Sequence, residues 1–121
     1  MKLALNQLIA AEMSAFALSF GLVQRAAVPI DTFTAILREN ALFATALEKK
    51  LPRHLTRDYK HPNFSARHLL KDVELFLKEA FSYELTASFL EGIRQVLERS
   101  IAQRLGYSDY SAIFEMVNPI P

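Results

Sequence analysis

Residues 2–23 read KLALNQLIAAEMSAFALSFGLV. The run holds no proline, one glycine and few charges. Its apolar residues fall all round a helical wheel instead of alternating. This predicts one long, all-round apolar α-helix from Lys2 to about Arg25, of the kind that its own domain and a second subunit sheathe. A signal peptide or a membrane span is the competing reading. Asn6, Gln7, Glu12, Ser14 and Ser19 interrupt the run, and a charged residue near the centre of a span costs about 3 kcal/mol on insertion scales. A helix buried on most of its circumference fits better.

Two polar residues open that run. Lys2 and Asn6 stand four apart, so a helix places them on one face, one turn apart. An amine at the mouth of an apolar pocket has its pKa lowered by desolvation, which suits it to proton transfer. An amide one turn on can orient the same substrate oxygen. The bland alternatives are a solubilising lysine and an ordinary residue of a first helical turn, and spacing alone does not separate them. If Lys2 is catalytic, the chain starts in the middle of an enzyme.

Proline and glycine positions divide the remainder. Val28-Pro29-Ile30 breaks the first helix, and Asp31 is the expected N-cap of a short helix carrying Phe33, Ile36 and Leu37, with Asn40 at its end. A third helix is expected from about Leu42 to Leu55, with Phe43, Leu47 and Leu51 inward and Pro52 bending or splitting it. Thr56 to Asn63 is polar loop, and His61-Pro62-Asn63 is turn chemistry. Ser65 opens a fourth helix whose stripe is Leu69, Val73, Phe76, Leu77 and Ala80. Thr86 is the expected cap of a fifth. Its inward positions are Phe89, Ile93, Val96, Leu97, Ile101 and Leu105, its outer pairs are Glu91, Arg94 and Glu98, and Gly106 stops it. Ser108 caps a last short helix running to about Val117. No stretch alternates with period two, so the fold class is all-α: a bundle with one long N-terminal helix and about five further helices, over residues 1–121 as one domain.

At 121 residues and 51% hydrophobic content, the chain is long enough for a sizeable core. Fourteen basic and thirteen acidic residues nearly cancel, so no bulk pull toward nucleic acid or membrane follows. There is no cysteine, which excludes thiolate and disulfide chemistry and suits a reducing cytoplasm. The three glycines, Gly21, Gly92 and Gly106, are far apart, so no phosphate-cradling glycine loop is available. His54, His61 and His68 lack a matching acidic or thiol set and read as surface or loop residues, not metal ligands. Between Lys49 and Lys71 lie Lys49, Lys50, Arg53, Arg57, Lys60, Arg67 and Lys71 against Asp58 alone. No aromatic residues are interleaved as stacking platforms, so this reads as a solvated face or the edge of an anionic ligand's site and not as a nucleic-acid patch. Lys71-Asp72, on the fourth helix, is either functional or a solvated lysine paired with a carboxylate such as Glu74.

In this order and at these separations, the chain resembles the C-terminal domain of the β-hydroxyacid dehydrogenases. That is the family of 3-hydroxyisobutyrate dehydrogenase and the glyoxylate/succinic semialdehyde reductases, with 6-phosphogluconate dehydrogenase more distant. The matching text is Lys2-Leu-Ala-Leu-Asn6-Gln-Leu, Val28-Pro-Ile-Asp31, Leu55-Thr-Arg57-Asp58-Tyr59 followed by Phe64, Leu70-Lys71-Asp72-Val73-Glu74-Leu75, and Leu105-Gly106-Tyr-Ser-Asp109-Tyr-Ser-Ala-Ile. It covers essentially the whole chain. Leu18 departs from a glutamate common in the family, and Ala27 from a glycine that commonly ends the first helix.

The resemblance implies that Lys2 is the acid/base handling the substrate hydroxyl proton and that Asn6 holds that oxygen. It implies that Lys71 lies near the nicotinamide end of NAD or NADP, with Phe64 and Asp72 in the same neighbourhood. It further implies an N-terminal dinucleotide-binding domain, outside this chain, that carries the substrate-carboxylate loop, together with pairing of the helical domains into a homodimer. The substrate expected is a small hydroxy acid or aldehyde acid, the setting cytoplasmic, with no nucleic acid or membrane partner and an isolated chain that turns nothing over. The competing function is a non-catalytic helical dimerisation module.

Overall fold

A computed structural model describes residues 1–40 and 45–121, without the side chains of Leu18, Ser19 and residues 45–47. The expected start of the third helix at Leu42, the inward positions of Phe43 and Leu47, and the departure at Leu18 lie outside the described residues. The chain is all-α: α1 Lys2–Arg25, α2 Ile30–Arg38, α3 Thr45–Thr56, α4 Ala66–Ser82, α5 Ser88–Ala102, a 3-10 turn over Tyr110–Ile113 and α6 Phe114–Val117. Among the described residues there is no strand, and only an isolated bridge joins Ser65 to Asp109.

The long helix is central. α1 touches every other helix and the 3-10 turn. Ala10, Met13, Phe16, Ala17 and Phe20 form its buried face, against Leu69 and Val73 of α4, Leu90, Ile93 and Leu97 of α5, and Ile113 and Phe114. Gly21 lets the C-terminal segment close over α1, because a Cβ there would stand 3.1 Å from the Asn118 Cβ. The expectation of burial on most of the circumference is corrected. Only 31% of its most apolar window is buried, and Leu5, Leu8 and Leu22 are exposed. By length and composition α1 could cross a membrane, a test that core helices also meet.

Local sequence places most elements, with instructive exceptions. Ser65 caps α4 as expected, its Oγ accepting from the His68 amide. Arg94 pairs with Glu91 at 2.9 Å and Glu98 at 3.8 Å. Asp31 is not the cap of α2: the N-cap is Pro29, whose fixed φ starts the helix one residue before Asp31. Ile36 is exposed on that helix. Ala87 replaces Thr86 as the N-cap of α5, and Leu90, not Phe89, faces the core. Asp109, not Ser108, caps the closing 3-10 turn, accepting from the Ser111 amide. Pro52 does not split α3. It lies on the exposed side, while Lys50 and His54, one turn apart, are buried and hold the helix across it.

Gly106 is not the stop of α5. Four helices are followed by a non-glycine residue in the left-handed region: Arg57 (φ 53°) after α3 and, in three matching closures, Ala27 (φ 56°), Glu84 (φ 57°) and Arg104 (φ 65°). In each, the next amide reaches back five residues: Val28 to the Val23 carbonyl, Leu85 to Ala80, Leu105 to Ser100. This is the closure glycine normally serves. Gly106 instead allows close packing, its missing Cβ lying 3.3 Å from Ile101 Cγ1.

The histidine reading is corrected at one position. His61 and His68 are exposed, but His54 is 1% exposed, with its ring 4.7 Å from Phe114, 5.4 Å from Phe16 and 5.9 Å from Phe20. Neither ring nitrogen has a hydrogen-bond partner. Burial lowers its pKa to about 4, and the nearby Ser111 main chain and Asp109 charge offset little of that. The solvated-face reading of the basic stretch holds at the exposed Lys49, Lys60, Arg67 and Lys71 and is corrected at three positions. Lys50 is buried on Asp109 at 2.7 Å. Arg53 donates to the carbonyls of Asp58, Lys60 and His61. Arg57 holds Glu115 and the Asn118 carbonyl, each at 2.8 Å.

Two predictions follow from packing. A side chain in the left-handed region costs about 1 kcal/mol relative to glycine, so Ala27→Gly and Arg104→Gly should each stabilise the chain by about that amount in urea denaturation; an unchanged or lowered midpoint contradicts the assignment. For His54, the unfolded ring takes its proton near pH 6.5 and the folded ring near 4. Between these values the unfolded chain binds more protons, so stability is full above pH 6.5 and falls as pH drops toward 4, by about 3 kcal/mol in all. His54→Leu should flatten that window and leave the loss below pH 4 to the carboxylates, as unfolding free energies measured at pH 7 and pH 4.5 would reveal.

Candidate active site

One concavity, of about 530 Å3, gathers Lys2, Asn6 and Ile9 from α1, Lys49 and Lys50 from α3, Asn63 and Phe64 from the turn before α4, and Tyr110. Its size is that of a small-ligand site.

Asn6 is the anchored member. It is half-buried, and its Nδ2 donates to Asp72 Oδ2 at 2.5 Å across the α1–α4 crossing. A carboxylate accepts only, so this contact fixes which end of the amide is the nitrogen and leaves Oδ1 and the second N–H for a ligand. Lys2 is exposed at the rim, without the apolar surround expected for it. The first turn of α1 has no side-chain cap.

The opposite wall is set by backbone pairing. The Asp109 amide donates to the Tyr59 carbonyl, and the Tyr110 amide to the Phe64 carbonyl, each at 2.9 Å. The Ala66 amide donates to the Ser108 carbonyl, also at 2.9 Å. These bonds lock the 59–66 loop onto the closing turn and bring Phe64 and Tyr110 edge to face, ring centres 6.1 Å apart. Beneath them lies an ion pair. Asp109 is fully buried and accepts from Lys50 Nζ (2.7 Å), the Ser111 hydroxyl (2.6 Å) and the Ser111 amide (3.1 Å). Burial pushes the Asp109 carboxyl up, and the hydrogen bonds from Lys50 and Ser111 outweigh it, holding the group below its ordinary value. Burial, with the Asp109 and Glu12 charges, raises the Tyr110 phenol to about 12, so it stays neutral.

Four of the five residues singled out from sequence therefore meet: Lys2, Asn6 and Phe64 line the concavity, and Asp72 holds Asn6 from behind. Lys71 does not join them. It lines a neighbouring groove of about 580 Å3 with Arg67, His68, Leu70, Glu74 and Ile101. The two hollows flank the stack of Phe64 on His68, whose ring centres are 6.1 Å apart. Lining residues not singled out one by one from sequence are Ile9, Lys49, Lys50, Asn63 and Tyr110. Their signal was faint: seven cations beside a single aspartate require a carboxylate from elsewhere, and Asp109 supplies it. Among the described residues no group of histidine and carboxylate side chains is placed to hold a metal ion.

Solved structures share this fold. The 3-hydroxyisobutyrate dehydrogenase of Salmonella typhimurium is 19% identical, with a TM-score of 0.85 over 95% of this chain and 40% of that one. The Mycobacterium tuberculosis 3-hydroxyisobutyrate dehydrogenase, solved with L-serine, is 19% identical, with a TM-score of 0.84 over 96% of this chain and 42% of that one. The chain thus spans about two-fifths of the length of these proteins. No curated protein sequence is significantly similar to it. The family model described as NAD-binding of NADP-dependent 3-hydroxyisobutyrate dehydrogenase matches residues 1–117, and the chain belongs to that family.

Proposed function

We propose that the chain is the substrate-side and dimerisation part of an NAD(P)-dependent β-hydroxyacid dehydrogenase or short-chain aldehyde-acid reductase, working in the cytoplasm. The carrying observation is the meeting of Lys2, Asn6 and Phe64 in one small-ligand concavity, with the Asn6 amide aimed by Asp72. In this reading Asn6 holds the substrate oxygen, and Lys2 takes the hydroxyl proton in the oxidative direction or returns it in reduction. An exposed lysine at the end of a helix is aimed only when ligand and a second wall close over it.

The half-buried Phe64 ring, stacked on His68 and edge to face with Tyr110, lines the concavity with an aromatic surface suited to the nicotinamide ring of NAD or NADP. The dinucleotide supplies the hydride when bound. This chain carries no glycine-rich turn for a pyrophosphate, so the proposal assigns most of the cofactor to a separate dinucleotide-binding domain and leaves Phe64, Lys71 and Asp72 as this chain's contribution near the nicotinamide end.

Homodimer formation through α1 is part of the proposal. Leu5 (53% exposed), Leu8 (55%) and Leu22 (70%) recur along its outer side at spacings that keep them on one face, and exposed apolar patches of this kind mark interfaces. A non-catalytic dimerisation module would share this face but would have no use for an anchored amide beside three lysines.

Two experiments bear on these readings. Joined behind a dinucleotide-binding domain from a solved relative, the chain should reduce a small aldehyde acid with NAD(P)H. Lys2→Ala should then lower kcat by about a thousandfold, the range of general acid–base catalysis; a loss under tenfold would remove Lys2 from the mechanism. The 121-residue chain alone is expected to show no turnover. In analytical ultracentrifugation at micromolar concentration it should sediment as a dimer and Leu8→Glu as a monomer, and a monomeric parent chain would eliminate the α1 interface.

A further inference from the structure

α1 carries a second apolar seam, on the side away from the core. Ala4, Leu8, Ala11, Ala15, Leu18 and Leu22 follow one another at alternating spacings of four and three residues. That is the pattern of a helix packed along another helix. The core positions of α1, Ala10, Met13, Ala17 and Phe20, occupy the opposite side of the helical wheel. Ala4, Leu8, Ala15 and Leu22 are exposed and Ala11 is half-buried. Glu12 is the only charged residue between Lys2 and Arg25. Its Oε1 is buried and its charge bears on Tyr110, so it is turned toward the body of the chain and leaves the seam apolar.

The seam fits a copy of itself. Two α1 helices running in opposite directions about a two-fold axis level with Met13 set Ala4 against the partner's Leu22, and Ala11 against the partner's Ala15. A small side chain meets a large one at each end, as an interface between identical surfaces requires. The alanines at the centre let the helix axes approach to about 8 Å. Parallel pairing in register would instead set Ala4 on its own kind and Leu22 on its own kind, with the two helix dipoles side by side in the same sense. It would also crowd both Lys2 ends, and the dinucleotide-binding domains proposed to close over them, into one place. The antiparallel order lays the far end of the partner helix beside a hollow of about 350 Å3 whose lining includes Met1, Ala4, Tyr83 and Leu85. Tyr83 and Leu85 are otherwise exposed there.

We propose that a second copy of this chain packs its α1 antiparallel along this seam, so that the turns of α1 that carry Lys2 are backed by the Leu22 end of the partner helix. The inference rests on the reading of α1 as a homodimer interface and adds its direction and register. It also supplies a support for the uncapped first turn of α1 that the single chain lacks.

The chain has no cysteine, so engineered thiols report the direction without background. A mixture of the Ala4→Cys and Leu22→Cys chains under mild oxidation should yield a disulfide-linked dimer. Neither variant alone should, because like positions lie about 27 Å apart along an antiparallel pair, beyond the reach of a disulfide. A nitroxide on the Ala4→Cys thiol should accordingly give an inter-spin distance of roughly 30 Å. Ala15→Arg, at an exposed position, should turn the dimer into a monomer with unchanged helix content. A link formed by Ala4→Cys alone means a parallel pair and overturns the proposal. So does a dimer that gives no mixed link, a dimer that survives Ala15→Arg, or a monomer that co-sediments with phosphatidylglycerol vesicles. The two readings fail separately: a dimer broken by Leu8→Glu but without the mixed link keeps the α1 interface and removes its direction, whereas a monomeric parent chain removes the interface itself.

Discussion

The fold turns on a carboxylate with no access to water. Asp109 is fully buried, and burying a charge is tolerable only when its oxygens are saturated. Here α3 supplies Lys50 at 2.7 Å and, more distantly, Arg53 at 3.9 Å, while Ser111 supplies its hydroxyl and amide. Lys50, Arg53 and His54 fall at i, i+3 and i+4, one face of α3. Docking that face on Asp109 therefore also drives His54 into the aromatic cluster of Phe16, Phe20 and Phe114. The histidine's unpartnered nitrogens are the consequence: α3 is aimed by the ion pair, and His54 occupies the space that remains.

The same constraint builds one wall of the candidate site. Asp109 cannot move without moving its backbone amide on Tyr59 and its neighbour's on Phe64. Phe64 and Tyr110 thus face the concavity at a spacing set by a buried charge rather than by their own packing. The other wall depends on a second polar contact, Asn6 to Asp72, which joins residues 66 apart in sequence where α1 crosses α4. The two contacts act on different helices and meet in one hollow, so the site's shape reports the assembly of four segments.

What was legible in the sequence was local. α1 begins and ends at the residues its apolar run indicates, Ser65 caps α4, and Arg94 sits between Glu91 and Glu98, because periodicity, capping and i,i+4 pairing act over one or two turns. Legibility failed where the deciding partner is distant or the backbone breaks a residue preference. Lys50 looked like one cation among seven, since Asp109 lies 59 residues away. His54 looked like its exposed counterparts His61 and His68. Ala27, Glu84 and Arg104 hold a conformation that residue preference assigns to glycine, so Gly106 drew the helix end to itself. Within the site, family likeness picked out Lys2, Asn6, Phe64 and Asp72, all of which lie at or behind one concavity. It also sets Lys71 near the nicotinamide end of the cofactor; on α4 this neighbour of Asp72 is turned from it by about 100° and lines the next groove.

The two polar residues on the first turns of α1 are held very differently. Asn6 is fixed by a charged hydrogen bond and by the packing of α1 on α4, whereas Lys2 stands exposed at the end of a helix about 36 Å long with no side-chain cap. A group that transfers a proton must be held to a fraction of an ångström, and nothing in this chain holds Lys2 so closely. The helical part therefore fixes the Asn6 amide and the Lys50 charge at one concavity and leaves Lys2 exposed at its rim.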